Sequence, residues 1–177
     1  MVYKENDKSE FNANQFEAMI ASNADGLGIM YVEGDRVKVL KSVGTDKAKR
    51  KLWESVKDFD NYAMHARLRT HGLVNEKNCH PYEILNMDKG DSTDLYVMHN
   101  GIIQVEKDIQ KTMSDTWNFI EGVLKPIAKA DINLLWNNEN IQVMIQKAIG
   151  YSKLLFMRSD IEPVSYTHLT LPTILRV

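Results

Sequence analysis

The segment HARLRTHGLVNEKNCHP, His65 to Pro81, gathers three histidines, two arginines, a threonine and the only cysteine of the chain. MHNGII follows at 98–103 and SDT at 114–116. Such side chains could bind metal, act as a nucleophile or hold a polar ligand. His65 and His71 are six residues apart and His80 lies nine beyond. That is neither HExxH nor paired CxxC spacing, so no metal site is expected. Cys79 beside His80 suggests a thiol with its base. Adjacent residues of an extended segment point to opposite faces, however, and a lone cysteine is usually a small buried hydrophobe. Taken singly, the remaining groups have ordinary readings. Arg67 reads as a surface arginine on a strand, Asn100–Gly101 as a type I′ turn and Ser114-Asp115-Thr116 as a helix cap.

Taken together and in order, HARLRTHG, NCHP, HNGII and SDT resemble the glutaminase domain of class II glutamine amidotransferases, within the N-terminal-nucleophile hydrolase superfamily. NADGLGI also resembles the turn that precedes the second strand of that family. The resemblance is specific over residues 23–116 and poor in motifs over 117–160. It implies a glutamine site. Arg67 would hold the α-carboxylate, where a guanidinium fork matches two oxygens. Thr70 and the backbone N–H of His71 would add hydrogen bonds to the same group. Asp115 would pair with the substrate ammonium. The Asn100 amide and the Gly101 N–H would form an oxyanion hole. His80 would help couple the site to the acceptor side, while His65 and His99 would make structural hydrogen bonds. Leu68 and Arg69 depart from the family pattern, which implies a differently closing cover.

The family's nucleophile is an N-terminal cysteine whose own α-amino group is the base. Here the chain opens Met1-Val2, and Cys79 is no substitute. Two explanations follow. One is a catalytically dead homologue that serves as a glutamine-binding, structural or interaction module. The other, which we favour, is a start placed inside the opening strand, with a Met-Cys-x-Ile type segment ahead of MVYKE.

These groups need a scaffold. A chain of 177 residues with a formal charge of −2 is one domain with a real core and no electrostatic case for nucleic acid or anionic membrane. No apolar run approaches a membrane span, and a single cysteine fits a reducing, cytoplasmic location. Asn12 and Gln15 form a capping box, with Phe11 and Phe16 as a hydrophobic staple, and the helix should stop near SNADG. LGIMYVEGDRVKVLK reads as a hairpin about Glu33, Gly34 and Asp35. TDKAKRKLWESVKDF reads as a helix with Leu52, Val56 and Phe59 on one face. YAMHARL, DLYVMH and KLLFMR read as strands. SDTWNFIEGVLKPIAKA reads as a helix capped by Ser114 and disturbed by Pro126, and NENIQVMIQKAIG as a helix ending at Gly150. The last residues, 164–177, resemble a translated sequencing adapter and are set aside, leaving 1–163 as the domain. The fold class is α/β (α+β). The resemblance implies a four-layer αββα sandwich, incomplete at both ends. It also implies hydrolysis of glutamine to glutamate, with ammonia passed to an unknown acceptor on a synthase domain or subunit. No cofactor is implied.

Overall fold

In the computed structural model the described residues are 1–5, 11–59, 61–70, 72–104 and 109–160. His71 and the tail 164–177 lie outside them. The chain is a mixed α/β structure with two antiparallel sheets. The first is ordered β1 (Val2–Glu5), β4 (Asn61–Arg67), β2 (Gly26–Glu33), β3 (Arg36–Ser42). The second is ordered β5 (Tyr82–Leu85), β6 (Leu95–Asn100), β7 (Lys153–Arg158).

Helix α1 (Ala13–Ser22) begins at Asn12, whose side chain accepts from Gln15 N while Gln15 Oε1 accepts from Asn12 N. The expected capping box is therefore present. Phe11 and Phe16 both meet Trp53, Phe16 stacked at 4.6 Å between ring centroids. The β2–β3 hairpin turns on Gly34, at φ +62°, and Asp35, a conformation that matches strand twist and favours glycine.

Leu52, Val56 and Phe59 pack into one apolar cluster as expected, but helix α2 (Asp46–Glu54) ends sooner than expected. Its buried positions are Lys49 and Trp53, Leu52 is half-buried, and Val56 and Phe59 lie beyond its end. The stack of Trp53 on Phe16 sets the inward face, and the Ser55 hydroxyl closes the end by donating to Leu52 O at 2.6 Å. Strands β1 and β5 and the short helix α5 (Asn133–Asn137) carry no clear periodic signal at four or five residues.

Three apolar clusters fill the molecule. Phe16, Ile20, Trp53 and Val56 meet one face of the first sheet through Leu27, Ile29, Tyr62, Met64 and Ala66. The other face supplies Tyr3, Met30, Val37 and Ala63, which meet Met98, Leu155 and Met157 of the second sheet. The far side of the second sheet supplies Leu95, Val97, Leu154 and Phe156. These meet α3 (Asp115–Phe119), a π-helical turn (Ile120–Leu124), α4 (Lys125–Ala130), α5 and α6 (Glu139–Ile149). Alternate residues of a strand face opposite sides, so β4, sandwiched between two clusters, is buried on both.

Ser114 caps α3, and Asn138 and Gly150 bound α6, as the sequence predicts. The π-helical turn sits just before Pro126. Proline has no N–H to donate to the carbonyl four residues back, and its ring crowds that carbonyl, so the helix widens there.

Candidate functional site

A cavity of about 210 Å³ opens where β4 of the first sheet and β6 of the second both end. It is smaller than the roughly 300–1,000 Å³ typical for drug-sized ligands, and so suits one of amino-acid size.

Arg67, the last residue of β4, lines it and is buried. Its Nη1 donates to Leu73 O at 3.1 Å, tying the strand end to the following loop. That loop is clamped from below by the NADG turn. Asp25 N donates to Arg67 O at 2.9 Å, and Asp25 Oδ2 accepts from Arg69 N at 2.7 Å. The buried Lys49 donates to Ala24 O at 2.7 Å and braces the same turn. Thr70 also lines the cavity.

Asn100 ends β6, Gly101 follows it, and both line the cavity. Gly101 has φ +136°, and a Cβ there would stand 2.3 Å from Ser152 Oγ. Only glycine fits, both for backbone conformation and for space. Asp115, the first residue of α3, is buried against the cavity. Its Oδ2 accepts from Ile103 N at 2.7 Å, so this carboxylate also fixes the chain just after Gly101. Sequence reasoning missed that tie, because a contact between a loop and a helix start has no period to read.

Arg67, Thr70, Asn100, Gly101, Asp115 and His80 thus line one cavity, although they come from four separated motifs. The expected contribution of His71 falls outside the described residues. Cys79 does not line the cavity. It is fully buried beneath β2, with Sγ 2.3 Å from where a Cβ on Gly26 would be, and burial pushes its thiol pKa up. His80 turns the other way, as the alternation argument requires.

His65, His80 and His99 form a file along the cavity wall. Ring centroids are 4.1 Å apart for His65 and His80, and 6.3 Å for His80 and His99. Burial is the main cause that lowers all three, His65 to about 3 and His99 to about 4, so each is a neutral imidazole at pH 7. The wall is polar but uncharged. Thr116 Oγ1 lies 2.7 Å from His99 Nδ1 and donates to Asp115 Oδ1 at 3.5 Å. Sequence reasoning assigned His65 and His99 structural bonds. Among the described residues, His99 Nδ1 meets Thr116 while His65 Nδ1 has no partner, and both histidines line the cavity. The shared face of His65 and Arg67 on β4 was the available signal.

Asn23, Tyr82, Ser114 and Thr116 complete the polar lining, and the exposed Leu68 and Ile102 stand at its edge. Among the described residues no group of three or more His, Cys, Asp or Glu is arranged to hold a metal ion. No helix among them is long and apolar enough to cross a membrane.

One guanidinium, one carboxylate and a glycine-backed amide pair around a neutral wall can recognise a zwitterionic amino acid and stabilise an oxyanion. No protein-family model matches the chain, and no curated protein matches it.

Proposed function

We propose that this chain is a glutaminase domain of the class II glutamine amidotransferase type, folded as a four-layer αββα sandwich. It binds glutamine between Arg67 and Asp115, and the Asn100 amide and Gly101 N–H stand ready for the oxyanion. The ammonia released would pass to an acceptor on a synthase domain or subunit. One observation carries the reading: residues of four separated motifs line a single cavity at the meeting of the two sheets. The layered reading is supported by the three clusters, one between the sheets and one outside each.

Hydrolysis needs a thiol at the cavity, and the single cysteine of this sequence lies elsewhere. That favours, for the chain as written, glutamine binding without turnover. On this reading the register of strand β1 supports a place for the nucleophile. The pairing of Val2 with Met64 carries Met1 towards His65, and Met1 joins the cluster between the sheets. A cysteine at position 1, or two residues ahead of it, shares the face of His65 and Arg67.

The test has two parts. By calorimetry, wild type binds L-glutamine and Arg67→Ala does not, since a buried carboxylate loses its charge-assisted partner. Equal heats for the two proteins would refute the assignment. In the second part, chains whose processing exposes an N-terminal cysteine at either position are assayed for glutamate release. Turnover is expected from one of them. In that protein Asn100→Ala lowers kcat by about 10²–10³ with little change in KM, and Cys79→Ser leaves the rate unchanged. Activity of the chain as written that is lost in Cys79→Ser would overturn the site.

A further inference from the structure

We propose that Tyr82 is a positioning residue, which sets the place of Asp115 through Ser114 and thereby the recognition of the ligand's ammonium; this rests on the glutamine reading of the cavity. Tyr82 opens β5 with its ring against the cavity and its hydroxyl buried beneath it. Tyr82 Oη lies 2.6 Å from Ser114 Oγ and donates to Asn78 O at 2.9 Å. Its one proton is spent on Asn78, so the Ser114 hydroxyl donates to Tyr82. Ser114 Oγ in turn accepts from Trp117 N at 3.1 Å as the cap of α3. Asn78 completes the clamp: Oδ1 accepts from Ser114 N at 2.8 Å and Nδ2 donates to Thr112 O at 3.1 Å.

The phenol ring is itself fixed. Lys41 Nζ stands 5.5 Å from its centroid, and His80 meets it edge-on at 4.8 Å. Tyr82 therefore connects the β5 start to the residue immediately before Asp115. Removing the hydroxyl leaves a buried serine proton without its acceptor and a buried carbonyl without its donor. The first turn of α3 is then free to shift, and the Asp115 carboxylate with it. Arg67, which hangs from β4 on the other sheet, does not move.

The test compares wild type with Tyr82→Phe on two ligands. L-Glutamine carries carboxylate, ammonium and carboxamide; glutaramate is the same molecule without the ammonium. Calorimetry should show L-glutamine weakened about fivefold to tenfold, the factor for one net hydrogen bond, with glutaramate unchanged. A ligand-free readout accompanies it. Amide hydrogen exchange should speed up at Trp117 and Ile103, whose N–H groups bond to Ser114 Oγ and Asp115 Oδ2, but not along β6 and β7. Ser114→Ala, which severs the same contact from the other side and also removes the acceptor of Trp117, should reproduce the ligand result and the faster exchange at Ile103 if Tyr82→Phe fails to fold. Equal losses for the two ligands, or unchanged exchange at both amides, would overturn the proposal. A wild type that binds neither ligand would sink the glutamine reading alone, and the exchange result would still decide the role of Tyr82.

Discussion

At the scale of the residue, the unusual investment is in three neutral imidazoles. Among the described residues, Nδ1 of His65, both ring nitrogens of His80 and Nε2 of His99 are buried without a hydrogen-bond partner, a costly state for polar atoms. Each histidine would take a proton near pH 6.5 in the unfolded chain, but in the fold only near 3 or 4 for His65 and His99. The folded values are depressed, so this contribution to stability is complete above pH 6.5 and lost as pH falls from there towards the folded values. Stability should decline by roughly 1.4 kcal/mol per pH unit for each histidine in that window. Urea midpoints measured from pH 7.5 to 4 check this. His80→Gln should flatten the slope, and an unchanged slope would exclude His80 as a contributor. At this scale the sequence was informative where a motif had internal order. Arg67, Thr70, Asn100, Gly101 and Asp115 could be grouped because four short motifs follow one another at the right spacing. Asn23, Tyr82 and Thr116 could not, because each reaches the cavity through contacts with distant segments.

At the scale of the element, local chemistry was legible wherever a side chain bonds its own turn. Asn12 and Ser114 both cap the helices the sequence assigns to them. Replacing Asn12 with Ala removes one half of a reciprocal box on an exposed turn. It should cost about 1 kcal/mol in chemical denaturation, with an unchanged dependence on denaturant concentration. A loss near zero would mean that the Phe16–Trp53 stack alone holds the helix start. The same local logic fails for the end of α2, which stops at Glu54 although Val56 and Phe59 beyond it pack into the same cluster. It fails again for β5, which has four residues and a register shift between Glu83 and Leu85. The disturbance at Pro126 was legible from proline chemistry, but its form, a π-helical turn upstream, depends on how the helix packs on β5 and β6.

At the scale of the whole molecule, an ion pair of Arg36 with the buried Asp94, beside a second to the exposed Asp88, joins the sheets at the end away from the cavity. Arg36 of β3 reaches Asp94, immediately before β6, with Nε 2.7 Å from Oδ2. Asp94 also accepts from Val37 N at 3.1 Å and Met87 N at 2.9 Å. Burial alone would raise this carboxyl, but Arg36 and the two N–H groups outweigh it and hold the pKa below the usual value. The stabilisation is therefore present above about pH 3.9, the unfolded carboxyl value, and lost as pH falls through the folded one. Asp94→Asn should destabilise by about 2–3 kcal/mol at pH 7, with the gap to wild type narrowing below about pH 3.9. Thermal unfolding across that range checks it, and a pH-independent gap would place the cost in packing instead. The two sheets that this pair joins are consecutive in the chain, the first ending at Arg67 and the second starting at Tyr82. A single cut between Thr70 and Tyr82 would divide the protein into two pieces, each keeping every ladder of its own sheet. Neither piece would own a cavity. Arg67 and Thr70 would go with one, Asn100, Gly101 and Asp115 with the other. A ligand bound there would need both pieces, and by mass action any molecule that fills the cavity would also be a glue between the two halves.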